Sequence, residues 1–256
     1  MLIAADFDGT LAPIVPAAGE AQALPRAAAA LNALAERRDA RVAVVSGRAL
    51  SDLRARIPIP GCWYVGGHGN EISPELEPAP GHGRHGRMRA ELAQAAERLR
   101  ARMPEWPGAK LEAKPYSLAV HFRKVPEFAE PIRQAFSGLA AEGDFRVLLG
   151  RKVVELLPAS ALTKGHAVQR LRSRLGCDLA FYFGDDTTDE DVFALGDAQI
   201  IGVKVTHAES ALASAAQCWV DAPAAVADAL ETILRLLQSR GEAGANKKLQ
   251  YFAIPP

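Results

Sequence analysis

Residues 2–7 (LIAADF) form a short apolar run that ends in acids, and the same arrangement returns along the chain. Residues 41–45 (RVAVV) stop at Ser46-Gly47, residues 62–65 at Gly66-Gly67, and residues 179–183 (LAFYF) at Gly184-Asp185-Asp186. Residues 200–205 (IIGVKV) and 218–220 read the same way. Runs this short and this apolar suit strands buried on both faces. Helix-patterned stretches separate them. Residues 24–38 carry Leu24, Ala27, Leu31 and Leu34 at helical spacing, with Pro25 acceptable in a first turn. Residues 50–57, 164–175, 190–195, 210–216 and 224–237 also read as helices. Strands separated by helices predict βαβ units and an α/β fold with a Rossmann-like, mostly parallel sheet.

The middle of the chain breaks this rhythm. Residues 74–87 (PELEPAPGHGRHGR) are rich in Pro, Gly and His and read as a linker or exposed loop. A helix over 89–103 follows, then strand-like runs at 110–113 and 117–123 and a helix at about 126–141. Runs at 145–149 and 152–157 are split at Gly150, as a hairpin turn would be. The order α-β-β-α-β-β predicts an α+β cap domain over 81–157, inserted into a core made of 1–80 and 158–240. From Ser239 the periodicity fades, and 241–256 read as a flexible tail.

Composition narrows the function. The 256 residues balance 30 Lys+Arg against 30 Asp+Glu, so no broad electrostatic footprint for nucleic acid exists and an anionic ligand must be met locally. No apolar run reaches the ~18 residues of a membrane span, and the opening MLIAADFDGTLAP lacks the basic start of a signal peptide. Cys62, Cys177 and Cys218 are odd in number and widely spaced, which fits a reducing cytoplasm.

Chemistry concentrates where strands end. In an open α/β sheet the ligand site lies outside the carboxyl ends of the strands, where Asp6 and Asp8 of DFDGT stand. Two apart on an extended chain, they can converge on a cation and a phosphate, although a DxD pair alone also suits a solvated strand end. Ser46 followed by Gly47 can present a hydroxyl and backbone amides to an anion, or simply make a turn. Lys164 opens a helix and can pair with a phosphate, or be an ordinary surface lysine. The acids of GDDTTDE, from Asp185 to Glu190, would repel one another at a buried strand end unless a cation neutralised them; Asp189 by itself also suits a helix cap.

The order strand-DxDGT, strand-SGR, Lys-Gly at a helix start and strand-GDDxxDE resembles the four motifs of the haloacid dehalogenase-like phosphohydrolases. The block between Ser46 and Lys164 looks like the C2-type cap of that superfamily. DFDGTLAPI, VAVVSGR, GGHGNE, SLAVHFR, KVVELLP, TKGHA and YFGDDTTDEDVF are similar to the trehalose-6-phosphate phosphatases over about residues 2–237. Asn70, where Leu or Ala is more usual after GHG, and the composition of 74–87 depart from that pattern.

The resemblance implies an Asp6 nucleophile, Asp8 as general acid and then base, and Mg²⁺ held by Asp6, the Asp8 backbone carbonyl and Asp185. It places Asp189 behind the metal's water shell, and Ser46, Gly47 and Lys164 on the phosphate. A disaccharide leaving group needs polar partners, for which Lys114, His121, Arg123 and Glu155 on the cap strands and His68 and Glu71 in the GHGNE loop are candidates. His121 and Arg123, two apart, are expected on one sheet face, and His68 equally suits a loop-stabilising role. The implied partner is a small sugar phosphate, with a trehalose-phosphate synthase in the same pathway. Other readings are a phosphatase for glucosyl- or mannosyl-phosphoglycerate or sucrose phosphate, and a catalytically silent domain that binds a sugar phosphate. The silent reading predicts loss of Asp6, Asp8, Lys164 or Asp185, and all are present.

Overall fold

The computed structural model describes residues 1–16, 18–73, 83–150, 152–207 and 213–242. The first half of the core comprises β1 (Leu2–Ala5), α1 (Pro25–Ala35), β2 (Arg41–Val45), α2 (Leu50–Arg56), β3 (Trp63–Gly66) and β4 (Glu71–Ser73). The chain then forms α3 (Gly83–Arg102), β5 (Lys110–Ala113), β6 (Leu118–His121), α4 (Ala129–Glu142), β7 (Phe145–Gly150) and β8 (Val153–Pro158). It returns with α5 (Lys164–Arg174), β9 (Ala180–Gly184), α6 (Glu190–Phe193), β10 (Ile200–Val205), β11 (Cys218–Val220) and α7 (Pro223–Glu242).

The core strands form a seven-stranded sheet in the order β11-β10-β9-β1-β2-β3-β4. Neighbours pair in parallel except β3 and β4. The chain lays β2 and β3 on one side of β1, then β9, β10 and β11 on the other. The strand order therefore reverses between β1 and β9, the place where open α/β sheets bind ligands. Although the runs look uniformly apolar, alternate residues serve different layers. Ile3, Val42, Val44, Phe181 and Val203 pack with Leu31 and Leu34 of α1 and Leu230 of α7. Leu2, Ala4, Ala43, Val45 and Tyr182 pack with Val168 and Leu171 of α5 and Phe193 of α6. Each large apolar side chain so enclosed contributes about 1.5–3 kcal/mol.

The inserted segment is a four-stranded antiparallel sheet, β5-β6-β8-β7, with both of its helices on one face. Leu118, Val120, Val154 and Leu156 pack there against Leu92 and Leu99 of α3 and Ile132 and Phe136 of α4. Side chains of period 2 turn the alternate residues to the other face. Registers place Glu112, Ala119, Glu155 and Leu148 in one row across that face, and Lys110, His121, Val153 and Gly150 in the next. This is the expected α-β-β-α-β-β cap.

Several boundaries differ from expectation. The helix placed at 89–103 starts at Gly83, so 83–87 are helical rather than linker; 74–82 lie outside the described residues. Glycine and histidine count against a helix locally, but capture of Leu92 and Leu99 by the cap sheet overrides propensity. β4 was not anticipated, being only three residues long after a glycine-rich turn. Among the described residues of the β7–β8 hairpin Lys152 is left-handed (φ 62°), and Gly150 ends β7 as an ordinary strand residue. The strand expected over 117–123 stops at His121, leaving Arg123 in a turn. Of the helix placed at 210–216, residues 213–216 are not helical and the rest falls outside the described residues. α7 continues to Glu242, past the expected start of the tail; 243–256 lie outside the described residues. Among the described residues no helix is long and apolar enough to cross a membrane.

Candidate active site

Asp6 and Asp185 follow β1 and β9, the two strands that flank the reversal of strand order. The Asp6 amide donates to the Phe183 carbonyl at 2.8 Å, which carries the parallel pairing one step past β1. Asp6 is 4% exposed, and its Oδ1 accepts from Lys164 Nζ at 2.8 Å. The same ammonium donates to Asp189 Oδ1 at 2.8 Å. Thr163 caps α5 with a reciprocal hydrogen-bonded box to His166, which sets the first turn and aims Lys164 inward. Lys164 is 2% exposed, so the surface reading of it is wrong.

Carboxylate oxygens of Asp6, Asp185 and Asp189 lie within 4.8 Å of one another. Burial pushes the Asp6 carboxyl up; Lys164 pulls it down, and Asp189, Asp185 and Asp8 push it up again. Burial also raises Asp185, against a hydrogen bond from His207. Burial disfavours the Lys164 ammonium, but Asp189 and Asp6 reverse that and leave its pKa above the ordinary value. One buried cation among three carboxylates leaves negative charge uncompensated. An all-oxygen cluster of this kind fits a hard divalent cation. Asp189 already accepts from Lys164, from Tyr182 OH at 2.5 Å and from the Asp186 amide at 2.9 Å, so its oxygens are committed to protein donors.

Gly9 has φ +81°, and a Cβ there would stand 2.1 Å from Asp185 Oδ2. Only glycine lets the DxDG turn pass the second strand end. Thr10 is fully buried and donates to Asp185 Oδ1 at 3.3 Å. The Asp8 side chain meets Arg48, whose Nε and Nη2 hold its two oxygens at 2.6 Å each. Ser46 is 2% exposed, and its Oγ accepts the Arg48 amide at 3.2 Å, so the SGR segment is both a turn and the end of β2. Gly47 is pressed against the His68 ring, whose Cε1 would lie 2.3 Å from an added Cβ.

The cap candidates separate. Glu155 is 8% exposed and accepts from Lys114 Nζ at 2.9 Å, Ser117 Oγ at 2.5 Å and His68 Nε2 at 3.1 Å. Burial raises its carboxyl, but His68, Lys114 and Ser117 outweigh that and hold it far below the usual carboxylate range. His68, with φ 56° and 8% exposure, thus joins the core loop to the cap. His121 pairs with Glu112 at 2.8 Å on the open face of the cap sheet. Arg123 reaches the Val15 carbonyl of the core at 3.1 Å, apart from this group. Glu71 accepts the Leu50 amide at 3.1 Å and so fastens the first turn of α2. Asn70 takes the Leu162 amide on Oδ1 at 2.9 Å and donates Nδ2 to the carbonyls of Gly67 and Leu162 at 2.7 and 3.2 Å.

The structure adds Arg48, Glu112, Ser117, Tyr182 and His207 to these candidates. Arg48 had a visible signal as the third residue of SGR. Glu112 had one too, two residues before Lys114, but its place beside Ala119 and Glu155 needs the strand registers. Tyr182 sits inside an apolar run, where an aromatic reads as core, and nothing local marks its hydroxyl.

The same fold recurs in known proteins. The chain resembles the C-terminal domain of a Candida albicans trehalose-6-phosphate phosphatase with a TM-score of 0.77, at 21% identity and 91% coverage of both chains, a likeness of fold. It is 37% identical to a trehalose-phosphate phosphatase of Mycobacterium avium over 256 aligned residues, covering 93% of this chain and 62% of that protein. It is 39% identical to an uncharacterized glycosyl hydrolase of Mycobacterium tuberculosis over 215 residues, 80% of this chain and 16% of that protein. The chain thus spans less than two thirds of the length of these curated relatives. The profile of the trehalose-phosphatase family matches residues 4–223, from β1 to the start of α7, and the chain belongs to that family.

Proposed function

We propose that this chain hydrolyses trehalose 6-phosphate to trehalose and phosphate through an aspartyl-phosphate on Asp6. The observation that carries the proposal is the Asp6 carboxylate at the reversal of strand order, held by Lys164 at 2.8 Å, with Asp8 two residues on and the polar cap face above. A phosphate monoester dianion resists an anionic nucleophile, so the site must cancel charge and fix an in-line approach. Mg²⁺, held by Asp6, Asp185 and the Asp8 backbone carbonyl, supplies that cancellation when bound. Lys164 offsets the carboxylates beside Asp6, and with Ser46 and Gly47 it takes the non-bridging oxygens. Asp8 protonates the departing sugar oxygen and then takes a proton from the water that attacks the intermediate. Asp189, its oxygens taken by protein donors, serves the site by fixing Lys164 rather than by ordering a metal's water shell.

Residues 81–157 serve as the cap over a core of 1–80 and 158–240. Glu155, Lys114, His121 and Glu112, with His68 below them, meet the sugar hydroxyls. Glu71 and Arg123 serve the reaction indirectly, Glu71 by holding α2 and Arg123 by joining the cap to Val15. A trehalose-phosphate synthase is the class of enzyme that supplies the substrate. The free thiols of Cys62, Cys177 and Cys218 suit a reducing cytoplasm.

Phosphate release across a panel of trehalose, sucrose, glucosylglycerate and mannosylglycerate phosphates, with and without EDTA, tests the proposal. Trehalose 6-phosphate should give the highest kcat/KM, and EDTA should abolish turnover. Preference for another sugar would change the substrate, and full activity in EDTA would remove the metal.

A further inference from the structure

Asp8 has a 43% exposed side chain, and among the described residues Arg48 holds both of its oxygens. That residue, Arg48, is fixed from every side. Its amide donates to Ser46 Oγ at 3.2 Å, and its carbonyl accepts the Gly67 amide at 2.8 Å. Its guanidinium lies over the Phe7 ring, 5.3 Å from the centroid, and Nη1 donates to Asp52 Oδ2 at 2.8 Å. Asp52 is held in turn by Arg56 Nε at 2.9 Å, and Arg56 Nη1 donates to the carbonyls of Gly19 and Ala21 at 3.1 and 2.9 Å. The Nε–Nη2 side of the guanidinium, the fork suited to a bidentate anion, is taken by the Asp8 carboxylate.

We propose that Arg48 is the positioning residue for Asp8, holding the plane of its carboxyl toward the scissile oxygen, and is not a ligand of the substrate phosphate. The proposal rests on the phosphoaspartyl reading above. In the first half-reaction the Asp6–phosphorus bond forms as the bond from phosphorus to the sugar oxygen breaks. The Asp8 proton moves to that oxygen; the oxygen that carries it is released from Arg48 while the other keeps its bond. In the second half water attacks phosphorus, the Asp6–phosphorus bond breaks, and the water proton returns to Asp8. A freely rotating Asp8 would spend little time in line, and effective positioning is a large part of what general acid–base catalysis supplies.

The test separates leaving groups. An alkoxide of a sugar must be protonated as it departs, whereas p-nitrophenolate leaves without a proton. Arg48→Gln should lower kcat/KM for trehalose 6-phosphate by about 10-fold to 100-fold and change kcat/KM for p-nitrophenyl phosphate by less than about 3-fold. With the aryl substrate kcat should still fall, because water activation uses Asp8, and a burst of one p-nitrophenolate per enzyme should precede the steady state. Arg48→Lys restores the charge without the fork and should recover only part of the loss. Asp52→Asn, which loosens Arg48 from behind, should give the same asymmetry more weakly and serves if the Arg48 variants do not fold. Equal losses in kcat/KM on both substrates would overturn the proposal in favour of phosphate binding or general damage, and no loss on either would overturn it outright. Asp6→Asn run alongside tests the parent reading separately. If it silences both substrates while the asymmetry is missing, Arg48 alone is wrong; if it leaves both active, the phosphoaspartyl reading falls and this proposal with it.

Discussion

His68 of the core and Glu155 of the cap meet at 3.1 Å, Nε2 to Oε2, both side chains buried. The His68 amide donates to the Ser46 carbonyl at 3.1 Å, so the hydrogen bond between the two side chains ties the end of β2 to the open face of the cap sheet. Glu155 is therefore a buried carboxylate that fastens two layers of the protein.

Its ionisation should be visible in stability. The folded protein holds this carboxyl below its unfolded value, so the stabilisation is complete above the unfolded value near 4.3 and is lost as pH falls beneath it. Melting curves of wild type and Glu155→Gln should differ by several degrees at pH 6–7, and the difference should begin to shrink below about pH 4. A difference that grew on acidification would contradict the assignment.

Asp6→Asn keeps the shape of the proposed nucleophile and removes its anion. Turnover should drop at least ~10³-fold, because Asp8 is held toward Arg48 and cannot replace it. Steady-state rates measure this, and more than about a tenth of wild-type activity would exclude Asp6 as nucleophile.

Asp185→Ala should raise the Mg²⁺ concentration needed for half-maximal activity and reduce the Mg²⁺-induced rise in Tm measured without substrate. Ca²⁺ should bind the same acids and inhibit, since its looser coordination spoils the in-line geometry. An unchanged Mg²⁺ response of Tm would place the cation elsewhere.

Asn70→Leu removes three hydrogen bonds to backbone groups of Gly67 and Leu162. The expected cost is about 1–3 kcal/mol, several degrees in Tm, with the ranking of sugar phosphates unchanged. A switched substrate preference in the panel would instead make Asn70 a sugar contact.

The core half of the candidate site was legible because motif and topology agree. Apolar runs that end in Asp6, Ser46 and Asp185 had to be parallel strands, and parallel strands put their ends on one edge. What stayed hidden depends on which partner a side chain finds. Glu71 is as polar as Glu112, yet Glu71 fastens the first turn of α2 and Glu112 pairs with His121 across the cap sheet, which only the register of β5 on β6 reveals. Arg123 shares a spacing with His121, but β6 ends before the alternation can reach it. The start of α3 was obscured for a different reason: its glycine and histidine residues oppose helix locally, and the packing that overrides them lies in strands more than fifteen residues away.

The Asn70 clamp has a mechanical consequence. Leu162 lies in the return strap from cap to core, two residues before Lys164, and its amide and carbonyl are both pinned to the core loop. Arg146 of β7 donates to the same Leu162 carbonyl at 3.3 Å, so the cap sheet and the core loop meet on one peptide of the strap. That peptide stands two residues before the helix start that aims Lys164 at Asp6. The placement of the ammonium beside Asp6 is therefore anchored in the same stretch of chain that joins the two sheets.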